Sequence, residues 1–352
     1  MNKALQLELR KARIAISPVC NFHCKYCDGN KGRQLKKPGA MEDFRSKPLE
    51  RGVIDTETYI KIIKTLYDIG FRGITLTGGE PFLNEDWDKI VKKAKQIGMK
   101  QICVTTNGTF LKYYLGKNGC LPRELTLLTI SFDTFDPKEF ERITGVSKNK
   151  LHQIIEGVRI VRERNPGLTI RANKVVTRSG LKSLSTFIVD CDKLFDEVNL
   201  LNLILKEPKN KINKKFFERE FVSPYEIMKI LSQGGYKFVM GPKYEPVSQT
   251  PNGLKIILKD TDQALRSTLC DHCPVYCQEG FYTIRVATDG TIRACIDYKN
   301  ELPYIDGVDE LKKGILIKTL REFMKETLEA ARLQNTLNDF FKRYNINIRK
   351  II

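Results

Sequence analysis

Residues 12–27 read A-R-I-A-I-S-P-V-C-N-F-H-C-K-Y-C, and residues 73–81 read G-I-T-L-T-G-G-E-P. Each begins as a short run rich in small, β-branched or aliphatic residues and ends abruptly in residues that carry chemistry or free the backbone. Short apolar, β-branched runs bounded by turn residues predict strands. The same grammar recurs at 101–108 (QICVTTNG), 125–133 (LTLLTISFD), 168–177 (LTIRANKVVT) and 197–204 (EVNLLNLI). Amphipathic helical patterns separate these runs, near 55–70, 85–98, 109–117, 137–164 and 181–195. Alternating strands and helices imply βα units and a parallel sheet. Six such units predict an α/β fold built as a partial (β/α)6 barrel over residues 1–205. In that architecture ligands gather at the carboxyl ends of the strands, where the informative tripeptides lie.

Outside the alternation, residues 31–51 are rich in Gly, Pro and mixed charge and are expected to form a long surface loop or lid. Residues 206–222 are a basic bridge into a smaller C-terminal domain, 206–352. That domain is expected to hold a helix near 224–233, hairpin-like pieces at 236–259, a cysteine-bearing segment at 270–298 and an amphipathic helical region from about 308 to 345.

The chain has 352 residues, 41% hydrophobic and 29% charged, enough to bury a sizeable core and incompatible with overall disorder. No run approaches the ~18 apolar residues of a membrane span, so no membrane partner is expected. The N-terminal MNKALQLELRKARIAIS carries charges inside its apolar stretch and lacks a small-residue cleavage site, unlike a secretory signal. Ten cysteines without an export signal point to a reducing, cytoplasmic location, where clustered thiols serve metals more often than disulfides. The net charge of +18 favours anionic partners, although solubility alone could account for it. Three histidines make a His-rich metal site a poor fit.

Cys20, Cys24 and Cys27 form C-x3-C-x2-C directly after the first strand. Soft thiolates suit zinc or an iron–sulfur cluster. Zinc sites usually show paired C-x2-C knuckles and a fourth ligand, whereas a lone triplet fits a [4Fe–4S] cluster with one iron open. A small zinc site or free thiols are the alternatives. A second group, Cys270, Cys273, Cys277 and Cys295, flanks a hairpin expected to turn at Asp289-Gly290. Four thiols there could enclose an auxiliary Fe–S cluster or a structural zinc. Cys103, in a strand, reads as a small buried apolar residue.

The order C-N-F-H-C-K-Y-C after one strand and Gly78-Gly79-Glu80-Pro81 at the end of the next resembles the radical S-adenosylmethionine (SAM) enzymes. The resemblance implies that Cys20, Cys24 and Cys27 hold a [4Fe–4S] cluster whose open iron is chelated by SAM. It implies reductive cleavage of SAM to a 5′-deoxyadenosyl radical that abstracts hydrogen from a substrate, with a donor such as flavodoxin or ferredoxin. On this pattern Tyr26 lies against the adenine, Gly78 and Gly79 allow close backbone approach, and Glu80 accepts from the SAM ammonium. Ser131 contacts the methionine moiety and Asn173 lies near the ribose.

Within that superfamily, L-R-K-A-R-I-A-I-S-P-V-C, T-L-T-G-G-E-P-F-L, V-T-T-N-G, I-S-F-D-T-F-D-P-K-E-F-E-R-I-T-G and V-A-T-D-G-T-I-R-A-C-I are similar to the GTP 3′,8-cyclase group. The likeness spans about residues 10–205 and 270–298, and places Arg13, Thr106, Arg171 and Arg285 on substrate-contacting positions. Basic groups aimed into one cavity suit a polyphosphate. The chain departs from that group at Thr75 and Thr283, where arginines are expected, and in the fourth C-terminal cysteine. It also ends R-K-I-I rather than Gly-Gly. The expectation is therefore a sister enzyme acting on an anionic, nucleotide-like small molecule rather than on nucleic acid. A peptide-modifying radical SAM maturase and a non-catalytic Fe–S or zinc RNA-binding protein are the competing readings.

Overall fold

The structure is a computed structural model, and it describes residues 11–27, 53–205, 211–241, 245–259, 265–266, 283–293, 304–328 and 332–333. The loop expected over 31–51, the four cysteines Cys270, Cys273, Cys277 and Cys295, and the helical pattern beyond residue 333 lie outside the described residues.

Six parallel strands run β1 (Lys11–Ser17), β2 (Gly73–Gly78), β3 (Gln101–Thr106), β4 (Leu127–Ser131), β5 (Thr169–Val175) and β6 (Glu197–Leu201). The helices between them are α1 (Thr56–Asp68), α2 (Trp87–Ile97), α3 (Leu111–Asn118), α4 (Pro137–Thr144), α5 (Asn149–Arg164) and α6 (Leu184–Cys191). The pattern at 137–164 divides into two helices because Gly145 takes a left-handed φ of 70° against His23, where an added Cβ would lie 3.0 Å from that side chain. Asp136 begins α4 by accepting the Glu139 N–H at 2.7 Å, with Pro137 at the first helical position.

Beyond residue 205 come α7 (Lys211–Glu220), α8 (Pro224–Gln233), β7 (Val239–Met240), β8 (Pro246–Gln249), β9 (Lys255–Leu258), β10 (Leu265–Arg266), β11 (Thr283–Val286), β12 (Thr291–Arg293), β13 (Tyr304–Asp306), α9 (Gly307–Lys312), α10 (Leu316–Leu328) and β14 (Arg332–Leu333). One twelve-stranded sheet has the order β13-β12-β11-β1-β2-β3-β4-β5-β6-β9-β8-β7, and β10 pairs with β14 apart from it. β11 lies parallel to β1, and β9 lies parallel to β6. The parallel core thus extends by one strand at each side, and the expected turn at Asp289-Gly290 joins the antiparallel pair β11 and β12. Among the described residues the two terminal strands, β13 and β7, do not pair with each other, which is compatible with a partial barrel.

Strand side chains alternate between two faces, and here the faces differ sharply. Ile14, Leu76, Val104, Ile130, Ile170 and Val198, each no more than 1% exposed, pack against Ile62 and Leu66 of α1, Val91 of α2, Val158 of α5 and Ile188 of α6. Burying one such side chain contributes about 1.5–3 kcal/mol. The opposite, interior face carries Arg13, Thr75, Thr77, Thr105, Ser131, Arg171 and Asn173, all half-buried or exposed. A barrel packed for stability alone would fill that face with aliphatic layers. This one is polar, and it surrounds the site.

Candidate functional site

The loop after β1 holds Cys20, Cys24 and Cys27, all free thiols, the first two half-buried and the third exposed. Its path is fixed at three places. At its start, the N–H groups of Gly79 and Glu80 donate to the carbonyls of Ser17 and Val19, both at 2.8 Å. Only glycine permits this approach. A Cβ on Gly78 would lie 2.3 Å from the Ser17 oxygen, and one on Gly79 would lie 2.0 Å from the Val19 oxygen. In its middle, the His23 and Lys25 N–H groups donate to Thr144 and Ile143 at the end of α4, at 2.8 and 3.0 Å. At its end, the Tyr26 hydroxyl donates to Asp133 beyond β4, and Asp133 in turn accepts the Val175 N–H at 2.8 Å.

Glu80 is fully buried. Its carboxylate accepts from the Thr106 hydroxyl at 2.6 Å, the Asn107 N–H at 2.8 Å and the Phe82 N–H at 3.1 Å. Burial raises its pKa to about 7 against the opposing pull of those donors. Glu80 and Thr106, expected to face SAM and substrate respectively, are here bonded to one another. The pair joins the turn after β2 to the turn after β3. Next to it, Asn107 donates to the Asn21 side chain at 2.7 Å and to the Cys20 sulfur at 3.8 Å. Asn107 was legible only as part of V-T-T-N-G; its two contacts with the cysteine loop depend on a fold that brings 107 and 20 together.

Asp133 was missed for the same reason, as was Lys174. Lys174 is 2% exposed on the helix side of β5, where it donates to the Asp133 carbonyl and lies 4.5 Å above the Phe187 ring. Burial lowers the Lys174 pKa, opposed by the nearby charge of Asp133, and raises that of Asp133, opposed by Lys174. The two therefore support one another beneath Tyr26.

Burial, with the Glu80 charge next, pushes the Cys20 thiol up to about 12. Burial and Asp133 raise Cys24 well above its ordinary value. Thiols raised this way stay protonated in the absence of a metal, and a soft cation binds them by displacing the proton. Among the described residues, no group of three or more His, Cys, Asp or Glu converges for a single metal ion. Cysteines that each bind a separate iron of a cube need not converge on one point. Three free thiols on one short loop are the soft donor set that suits a [4Fe–4S] cluster.

The register assembles the interior face. Arg13 of β1 lies beside Arg285 of β11, and Arg285 lies beside Arg293 of β12. Three arginines thus share one rung and one face. Arg293 also packs over the Tyr304 ring at 5.2 Å. Sequence reading named the first two and missed the third, whose signal is the tight hairpin turn that sets 285 opposite 293. Arg171 instead pairs with Glu197, its neighbour across β6, its Nε donating at 2.7 Å. Ser131 of β4 and Asn173 of β5 are adjacent in register at the carboxyl ends, with Ser131 exposed.

A parallel sheet that ends in a three-cysteine loop clamped by a Gly-Gly-Glu turn is the framework of a radical SAM domain, and residues 14–176 match the radical SAM superfamily. Residues 14–176 thus form a radical SAM domain, and the relatives support an enzyme of the radical SAM type. The probable GTP 3′,8-cyclase of Sulfolobus acidocaldarius is 26% identical over 337 residues, covering 95% of this chain and 96% of that protein. The probable GTP 3′,8-cyclase of Methanococcus maripaludis is 25% identical over 327 residues, covering 92% and 95%. Among solved structures, Streptococcus suis SuiB bound to S-adenosylmethionine superposes with a TM-score of 0.54 at 14% identity, covering 89% of this chain and 68% of that one. The last comparison concerns the fold alone. No helix among the described residues is long and apolar enough to cross a membrane.

Proposed function

We propose that this enzyme acts on an anionic, nucleotide-like small molecule, in a cyclisation or rearrangement begun by hydrogen abstraction. The observation that carries the reading is the rung Arg13–Arg285–Arg293. Three guanidinium groups on one rung concentrate positive charge on one part of the interior face, which favours an anionic ligand there. Guanidinium groups match phosphate oxygens bidentately. The naming of the curated relatives makes GTP the first candidate.

Cys20, Cys24 and Cys27 would hold a [4Fe–4S] cluster, which together with SAM would supply the radical chemistry for hydrogen abstraction. The chain's own residues do the rest. The Gly78–Gly79 turn brings backbone within reach of the cofactor, and Glu80 braces that turn through Thr106 and Asn107. Tyr26, Ser131 and Asn173 surround the place where SAM would sit. Arg13, Arg285 and Arg293 hold the anionic end of the substrate, while Arg171, matched by Glu197, contributes donors with little net charge. Cys270, Cys273, Cys277 and Cys295, which flank in sequence the hairpin of Arg285 and Arg293, would supply the donors for an auxiliary cluster in a C-terminal domain, 206–352.

The test is anaerobic turnover of reconstituted enzyme with SAM, reductant and GTP, followed by mass spectrometry of nucleotide products. A new product whose yield tracks 5′-deoxyadenosine, and which is lost on Arg285→Ala while substrate-free SAM cleavage persists, supports the reading. Unaltered GTP with no measurable binding contradicts it.

A further inference from the structure

Deepening the nucleotide reading and resting on it, we propose that Asn199 contacts substrate. Beside Asn173, which borders the cofactor's place, it would receive the neutral, hydroxyl-bearing part of a molecule whose charged end lies on the arginine rung.

Asn199 belongs to the interior face. Val198 and Leu200, on either side of it in β6, are fully buried toward the helices, so alternation turns Asn199 the other way. The register sets Ser131, Asn173 and Asn199 side by side across β4, β5 and β6, and the next strand presents Ile257. Neighbouring strands lie about 4.8 Å apart, so Asn199 stands immediately beside the cofactor's place that Asn173 borders. Asn199 is only 7% exposed, and the side-chain oxygens of both asparagines are buried without a hydrogen-bond partner. An unsatisfied buried acceptor costs about 1–3 kcal/mol. Directly below, Arg171 and Glu197 show that this face satisfies its polar groups where it can.

What the amides lack is a donor. A phosphate or carboxylate cannot supply one, and a sugar hydroxyl or a base N–H can. The ligand's charge must therefore lie elsewhere. Arg13 shares a rung with Thr75, Cys103, Leu127 and Thr169, and Asn173 is four residues further along β5 than Thr169. At about 3.3 Å per residue, the amide pair stands about 13 Å up-strand from the arginines. A substrate that reaches both is elongated, with its negative charge at one end and hydroxyls at the other. A nucleoside triphosphate meets that description better than a nucleoside monophosphate or a free sugar phosphate. Since Ser131 and Asn173 border the cofactor's place, the hydroxyl-bearing part is the one presented for hydrogen abstraction.

The experiment uses the full chain, anaerobically reconstituted, and measures equilibrium binding of GTP and of inorganic tripolyphosphate to the wild type, Asn199→Leu, Asn199→Ala and Arg285→Ala. Two Asn199 variants are included so that poor folding of one does not end the test. Either Asn199 change should weaken GTP binding 10- to 100-fold and leave tripolyphosphate binding within about twofold. Arg285→Ala should weaken both ligands. Unchanged GTP binding in a folded Asn199 variant overturns the assignment, as does an equal loss of tripolyphosphate. A loss of substrate-free 5′-deoxyadenosine formation without a loss of GTP binding also overturns it, because Asn199 would then serve the cofactor. If the wild type binds neither probe, the nucleotide reading fails first and takes the assignment with it.

Discussion

The Glu80 carboxylate accepts the Asn107 N–H at 2.8 Å, so the turn after β2 is fastened to the turn after β3. Asn107 then reaches Asn21, and the backbone of Glu80 reaches Val19. Three loops from three strands are thereby locked around Cys20. Glu80, Asn107 and Asn21 are all buried, and each bond exists only when the sheet is in register.

The tightest part of this arrangement is the glycine turn. Gly79→Ala would force a Cβ to within 2.0 Å of the Val19 carbonyl, and backbone cannot yield as a side-chain tip can. Displacement of the Cys20 loop should cost several kcal/mol by the backbone-strain mechanism and abolish iron retention on reconstitution. Gly116→Ala meets nothing within 4 Å and should leave both melting temperature and iron content near wild type. Thermal melts with iron analysis of the two variants check the contrast.

Glu80 makes stability depend on pH in a particular direction. Its folded pKa of about 7 lies above the ordinary 4.5, so the folded chain holds this proton more tightly than the unfolded one. The contribution is complete below pH 4.5 and is lost as pH rises through about 7, amounting to on the order of 3 kcal/mol across the window. Unfolding curves from pH 4.5 to 8 should show wild type losing ground relative to Glu80→Gln as pH rises. A constant difference between them would refute the shift.

Arg171 and Glu197 are matched, so their roles should be coupled. Arg171→Met leaves a largely buried carboxylate without its partner, and the double variant with Glu197→Leu should recover part of the loss. A coupling energy of about 1–3 kcal/mol is expected from a double-mutant cycle. Arg171→Met should also weaken nucleotide binding less than Arg13→Ala does.

Arg293 is expected to behave like Arg285. Arg293→Ala should lower tripolyphosphate affinity about tenfold or more, with 5′-deoxyadenosine formation in the absence of substrate unchanged. Calorimetry with tripolyphosphate and a SAM-cleavage assay separate the two readouts.

All six parallel strands at the heart of the sheet were legible because each is short, aliphatic on one face and closed by turn residues. The cysteine loop and the Gly-Gly-Glu turn were legible as spacing. Pairing across long sequence distance was not: nothing local in T-I-R-V at 283–286 says that it lies beside A-R-I at 12–14. Periodicity also says nothing of which polar group satisfies which. Glu80, Thr106 and Arg171 are legible as candidate ligand contacts, but their protein partners are not. Asn107, Asp133, Lys174 and Arg293 went unnoticed because their contacts arise only in the assembled sheet. Gly145, by contrast, announced itself in the sequence but was read through as helix.

The most direct test of the central claim is to reconstitute wild type and Cys24→Ala anaerobically, reduce them with dithionite in the presence of SAM, and quantify 5′-deoxyadenosine alongside iron. Wild type should bind iron, change its reduced-cluster spectrum when SAM is added, and release 5′-deoxyadenosine, while Cys24→Ala should release none. Equal 5′-deoxyadenosine from both proteins, or a wild type that takes up no iron, would contradict the account.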